Sequence, residues 1–290
     1  MNAAHIFASA LLVWPLTTGG FGDRAGAAAS EVQFFCSFES SPTDCGFHEQ
    51  ARVKGRATLV DVARHGAKAV RLHTEPGDRD VNGSGERERN DLALSQSATD
   101  CYEGRDQWWA HSVLFPSDFV VPASGLAFDF HHTASAGQAN FQLRMKPEGL
   151  SFEGAGGPTV ATSSRSPGLY RAFIGPLVKD VWYDFVYHVK WSSGSDGFMY
   201  AWVNGVQKLA HRGPTLYVGQ GCYLKLANYH TPTGQGSSVI HDRVIRGTSA
   251  SAVSLTPLQG LAQPQRRTRL SRTEQARSSS GHGAWRRLDG

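Results

Sequence analysis

Arg89, Asp129, His131, Tyr223, Lys225 and Tyr229 are the residues whose types could do chemistry together. A guanidinium grips an oxyanion through a planar, two-pronged fork. An imidazole takes up and releases protons near neutral pH. A phenol, with an ordinary pKa of about 10, can donate a proton to a departing oxygen. These are groups that grip anions and move protons.

Spacing gives the list its force. In Cys222 to His230, read as a strand, Leu224, Leu226 and Asn228 fall on one side, with Tyr223, Lys225, Ala227 and Tyr229 on the other. In Leu126 to His132, Phe128 and Phe130 point one way while Asp129 and His131 point the other. His132 shares the phenylalanine side and is expected to be structural. In Glu86 to Leu94, Leu92 and Leu94 mark the core side, which sets Arg89 and Asp91 opposite and puts Asn90 inward. A solvated strand face or a surface charge run explains any one of these stretches. Three with the same layout argue for a shared site.

The elements that must position these residues are strands. Runs at Val32 to Glu39, Ala57 to Val62, Ala67 to His73, Trp108 to Phe115, Ala139 to Met145, Leu169 to Ile174, Trp182 to Trp191, Phe198 to Val203 and Ser238 to Ile245 recur with turn residues between them. Asn204-Gly205 suits a tight hairpin, because both residues tolerate positive φ. Residues 76–85 read as a polar loop, and no segment keeps helical periodicity over three turns. The fold class expected is all-β, a jelly-roll (concanavalin-like) β-sandwich over residues 31–254.

The ends read differently. The apolar run Ile6 to Leu16 and the small residues Ala25 to Ser30 read as a signal peptide over residues 1–30, hence a secreted, extracellular protein. Residues 255–290 read as a disordered Arg- and Ser-rich tail. Of the formal net charge of +4, residues 261–290 carry a surplus of five, so the rest is close to neutral and no polyanion-binding character follows from the total. No later apolar run is long enough to cross a membrane. The cysteines Cys36, Cys45, Cys101 and Cys222 are even in number with no C-x-x-C pair, which favours disulfides over zinc. Cys36 with Cys45 would close a local loop, but three pairings remain open.

At this point the chain resembles the β-jelly-roll polysaccharide lyases, the group that includes glucuronan lyases and heparin lyase I. Arg89-Asn90-Asp91-Leu92 is similar to the family's Arg-x-Glu-Leu, with Asp for Glu. Trp109-Ala110-His111-Ser112-Val113-Leu114-Phe115-Pro116 resembles its Tyr-Gly-Phe-Ser-Val-Tyr-Leu-Pro strand, and Asp129-Phe130-His131 its Gln-Trp-His. Trp182-Tyr183-Asp184-Phe185, Lys190-Trp191, Trp202-Val203-Asn204-Gly205 and Tyr223 to Tyr229 follow the remaining motifs in order, so the likeness covers Val32 to Arg246. Two departures stand out: Asp129 where the family has Gln, and Ala227 where it has Gly.

The resemblance implies β-elimination on a uronic-acid polymer such as glucuronan or alginate. Arg89 would clamp the carboxylate, His131 act as base and Tyr229 as acid. Asn90, Asp129, Lys225 and Tyr223 would bind substrate. No cofactor is needed for that chemistry; a structural Ca2+ at Glu39 and Asp242 is an expectation drawn from related jelly rolls. The expected partner is an anionic polysaccharide, not a nucleic acid, and the protein is expected to be a monomer. With no Lys- or Arg-dense stretch for sulfate, the expected substrate is unsulfated. Tryptophans are expected mostly in the core, with one or two as a sugar platform. The alternative reading is a non-catalytic carbohydrate-binding jelly roll. A glycoside hydrolase ranks below it, because no strand supplies the spaced carboxylates hydrolysis requires.

Overall fold

The computed structural model describes residues 31–79, 86–133, 137–163 and 165–254. The expected signal peptide, the basic tail and part of the 76–85 loop lie outside them. In chain order the strands are β1 (Val32–Cys36), β2 (His48–Gln50), β3 (Ala57–Val60), β4 (Ala69–Thr74), β5 (Glu88–Ala93), β6 (Asp106–Leu114), β7 (Gly125–His132) and β8 (Phe141–Lys146). They continue as β9 (Gly149–Ala155), β10 (Leu169–Gly175), β11 (Trp182–Lys190), β12 (Phe198–Val203), β13 (Val206–Arg212), β14 (Cys222–His230) and β15 (Ser237–Gly247), with a short α-helix, α1 (Gln96–Thr99), after β5. Among the described residues no helix is long and apolar enough to cross a membrane.

Two antiparallel sheets face each other. One runs β13-β12-β11-β6-β15-β4-β3, with β1 paired to the far end of β15; the other runs β10-β9-β8-β7-β14-β5-β2. The sandwich expected from strand spacing is therefore present, and Leu92, Leu94, Phe128, Phe130, Leu224 and Leu226 all lie inward. Short β2 and polar β13 carry no such pattern, whereas β9 sets Leu150 and Phe152 inward and Ser151 and Glu153 opposite them. Asn204 and Gly205 both take positive φ in the β12–β13 turn, as their types predict.

The core is aromatic. Phe128 meets Phe185 and Tyr187 across the sheets, and Phe141 packs on Phe152 and Tyr187. Trp109 and Trp191 are fully inside, and both indole N–H groups donate to Gln107 Oε1, at 3.0 and 2.9 Å, so neither leaves a buried donor unpaired. Trp108, Trp182 and Trp202 lie half-buried on the outer face of the first sheet; Trp108 stacks with His188 at 4.2 Å. Disulfides join Cys36 to Cys45 and Cys101 to Cys222. The second fastens the start of β14 to the segment after α1, closing a long loop whose freedom the unfolded chain would otherwise keep.

Two imidazoles are sealed between the sheets, His111 and His241, 6.4 Å apart. Burial holds both below the ordinary range, His241 at about 3, although its Nε2–H donates to the carbonyl of Ala227. Unfolded imidazoles protonate near pH 6.5, so below that pH the unfolded chain binds protons that these rings refuse. Their effect is a loss of stability as pH falls from about 6.5 towards 3. Asp242, whose carboxyl burial raises to about 7, acts in the opposite sense, returning stability as pH falls below 7. The contribution of one ring is read by difference: His241→Gln should make the thermal midpoint fall less steeply between pH 7 and pH 5 than in the parent chain. An unchanged slope would contradict this assignment.

Candidate active site

β14 lies between β7 and β5 in the second sheet. Register places Tyr229 opposite Arg89 and Ala227 opposite Asp91 on one side, and Lys225 opposite Asp129 and Tyr223 opposite His131 on the other. Residues from three distant parts of the sequence thus occupy neighbouring places, about 4.8 Å apart from strand to strand. A bulge in β14 between Leu226 and Tyr229 shifts its pairing with β7, while its register with β5 runs on unbroken and keeps Tyr229 beside Arg89.

All of these but Tyr223 line a hollow of about 160 Å³. Arg89, Asp91, Asp129, His131, Lys225 and Tyr229 line it, joined by Arg87 and by Gln142 and Arg144 from β8. A wider cavity of about 440 Å³ continues it, sharing Arg87, Gln138 and Arg144 and adding Lys146, Glu153 and Arg171. The hollow brings Arg87, Arg89, Arg144 and Lys225 against only two carboxylates, so it suits an anion. The sequence shows no dense basic stretch because these cations come singly from separate strands. Among the described residues no tryptophan lines either cavity.

The inner charges are almost dry. Lys225 is 4% exposed and Asp129 2%. Lys225 Nζ lies 4.0 Å from Asp129 Oδ2, which is also 3.0 Å from His131 Nδ1. Burial favours the neutral form of Asp129, yet Lys225, His131 and Arg89 outweigh it and hold the carboxyl below its usual range. For Lys225, burial pulls the ammonium down, but Asp129 and Asp91 outweigh it and leave its pKa raised. Both groups are therefore charged at neutral pH. Arg89 Nε stands 3.4 Å from Asp91 Oδ2, and its guanidinium lies over the Tyr229 ring at 4.4 Å, with Arg87 over the same ring at 5.4 Å. Tyr223 sits edge-on to His131 at 5.6 Å, with Lys225 near its ring.

Asn90 corrects the expectation drawn from its motif. It faces the core, where its Nδ2 donates to the carbonyl of His73 on β4, because strand alternation turns it away from Arg89 and Asp91. It does not line the hollow. His132, as alternation predicts, is buried, stacked against His131 and edge-on to Tyr217. Glu39 and Asp242 lie elsewhere and meet at one turn: Glu39 accepts from Ala67 N–H, and Asp242 Oδ2 accepts from Arg64 and His65 N–H at 2.7 Å each. Among the described residues no group of three or more His, Cys, Asp or Glu is placed to hold a metal ion.

Sequence reasoning missed Arg87, Gln142, Arg144 and Arg171. The alternation Gln142, Arg144, Lys146 against Phe141, Leu143, Met145 was the available signal.

Comparison with known proteins adds three findings. A family model described as "Polysaccharide lyase" matches residues 41–245. Among solved structures, an endo-β-1,4-glucuronan lyase from the fungus Trichoderma reesei superposes with a TM-score of 0.60 at 16% identity, covering 78% of this chain and 99% of that one. A carbohydrate esterase from Shiga toxin-encoding bacteriophage phi24B gives 0.50 at 12% identity, covering 76% and 100%. At these identities the likeness is one of fold. No curated protein matches.

The buried pair makes a prediction about stability. Removing Lys225 alone strands the Asp129 charge, so Lys225→Met should cost about 3 kcal/mol in denaturant unfolding. Lys225→Met with Asp129→Asn should cost less than the single change. Simple additivity of the two would show that the charges are not coupled.

Proposed function

The chain belongs to the polysaccharide lyase family, and we propose that it cleaves a uronic-acid-containing polysaccharide, glucuronan- or alginate-like, by β-elimination. The observation that carries this reading is the meeting of guanidinium, ammonium, imidazole and phenol in one positively charged hollow. The glucuronan lyase with the same fold supports the substrate class.

The C5 proton of a uronate is only weakly acidic, so the carboxylate beside it must be neutralised as charge spreads into it. Arg89 and Lys225 supply that charge, and Gln142, the register partner of Asp129 on β8, offers an amide at the same hollow. His131 takes the C5 proton on Nε2. The C–H electron pair becomes the C4=C5 double bond and the C4–O bond breaks. The departing oxygen receives the proton of Tyr229. Water then carries the proton from the imidazolium back to the phenolate, restoring both groups. A hydrolase would need a carboxyl kept protonated as its acid. Asp129 is held in the opposite state.

The second cavity gives the polymer room beyond the reacting sugar, with Arg171, Lys146 and Arg144 available to further carboxylates. Export fits the same reading, because two disulfides persist where the surroundings are oxidising.

Incubation with glucuronan, alginate and glycosaminoglycans should generate the ultraviolet absorbance of a conjugated C4=C5 bond with at least one polymer. His131→Ala and Tyr229→Phe should each lower that rate by about 100-fold or more, as removal of a proton-transfer group does. Asn90→Ala should leave the chemistry in place while lowering stability. Binding without new absorbance on every polymer would favour a non-catalytic module, and full activity in both the His131 and Tyr229 variants would reject their roles as base and acid.

A further inference from the structure

We propose that Asp129 acts on the reaction through His131 and is not a substrate contact: its carboxylate fixes the imidazole with hydrogen on Nδ1, leaves Nε2 bare towards the sugar, and compensates the imidazolium once the proton is taken. The inference rests on the reading of His131 as base. Asp129 stands where the resembled family has Gln, and the change of type makes a physical difference. An amide at this place could donate or accept, and so would leave the ring's tautomer open. An ionised carboxylate only accepts, so the atom facing it at 3.0 Å, His131 Nδ1, must be the donor.

Geometry makes the contact robust. Asp129 and His131 are two residues apart on β7, so backbone alternation alone aims them at the same face. The Asp129 side chain is 3% exposed, whereas that of His131 is 26% exposed. A sugar entering the hollow meets the ring and not the carboxylate beneath it.

The carboxylate has other partners as well. Lys225 lies on the same carboxylate oxygen from β14, and Arg89 on β5 acts on it from further off. The other charged or titratable groups near this cluster are Arg87 just before β5, Asp91 on β5, Tyr223 and Tyr229 on β14, Arg144 on β8, and His132 stacked on His131 itself. Asp129 thus divides its attraction between the ring and fixed cations, and its full charge counts when positive charge appears on the ring.

Two measurements on the full chain test this. Nitrogen NMR of the labelled protein should find Nδ1 protonated and Nε2 bare on neutral His131; the opposite tautomer would overturn the proposal without reference to activity. In Asp129→Asn, whose amide can donate as well as accept, the hold on the tautomer is lost and part of His131 should carry its hydrogen on Nε2 instead. In that variant kcat should fall by about 10- to 100-fold with KM within about threefold, because a less well-held base is at work. Asp129→Glu, which keeps an acceptor-only carboxylate, should restore the Nδ1–H tautomer and part of kcat. A rise in KM with kcat and the tautomer unmoved would show that Asp129 binds substrate instead. Should Asp129→Asn fail to fold, the tautomer in the parent chain still decides. A correct tautomer with no elimination on any polymer would sink the lyase reading while leaving the Asp129–His131 pair standing.

Discussion

A lysine ammonium with almost no contact with water sets the terms for everything around it. Lys225 stays charged because Asp129 and Asp91 face it, and Asp129 stays ionised in a dry place only because cations face it in turn. The consequence is a fixed set of charges on adjoining strands, in which guanidinium and ammonium groups outnumber carboxylates. Such a hollow has one unmet electrostatic need, an incoming anion. Its dipoles and charges are already oriented before the anion arrives, the condition under which they stabilise developing charge most effectively.

Beneath the hollow the two sheets are joined by polar contacts as well as by aromatic packing. Asn228 Nδ2 donates to the carbonyls of Leu72 and Ser237, Asn90 to that of His73, and Thr74 Oγ1 donates to His230 Nε2. With His241 on the carbonyl of Ala227, these bonds hold the backs of β5 and β14 to β4 and β15. Hydrogen bonds are directional where hydrocarbon contacts are not, so they fix the strands that carry Arg89, Lys225 and Tyr229 against sliding. Asn90 therefore contributes to the site from below it.

Much of the site was legible in the sequence because alternation is a local property. Leu224 and Leu226 betrayed Lys225; Phe128 and Phe130 betrayed Asp129 and His131; Leu92 and Leu94 betrayed Arg89 and Asp91. Where motif likeness and alternation disagreed, at Asn90, alternation was right, since the pleat decides which way a side chain can point. What stayed hidden was which strands lie side by side. Arg144 and Gln142 sit on a strand that the sequence does reveal, but only the order β8-β7-β14-β5 makes them neighbours of His131. That order is set by long-range pairing, and the strands without a pattern, β2 and β13, could be found only from their partners. The same limit hid the cationic character of the hollow, assembled one residue at a time.

The central claim is that one sugar carboxylate and one glycosidic oxygen fit among these groups at once. A crystal structure of Tyr229→Phe soaked with a uronate oligosaccharide tests it most directly. The account predicts the carboxylate against Arg89 and Lys225, C5 under His131 Nε2, and the bridging oxygen beside the ring at position 229. Sugar bound to the aromatic outer face of the other sheet, with the hollow left to solvent, would contradict it.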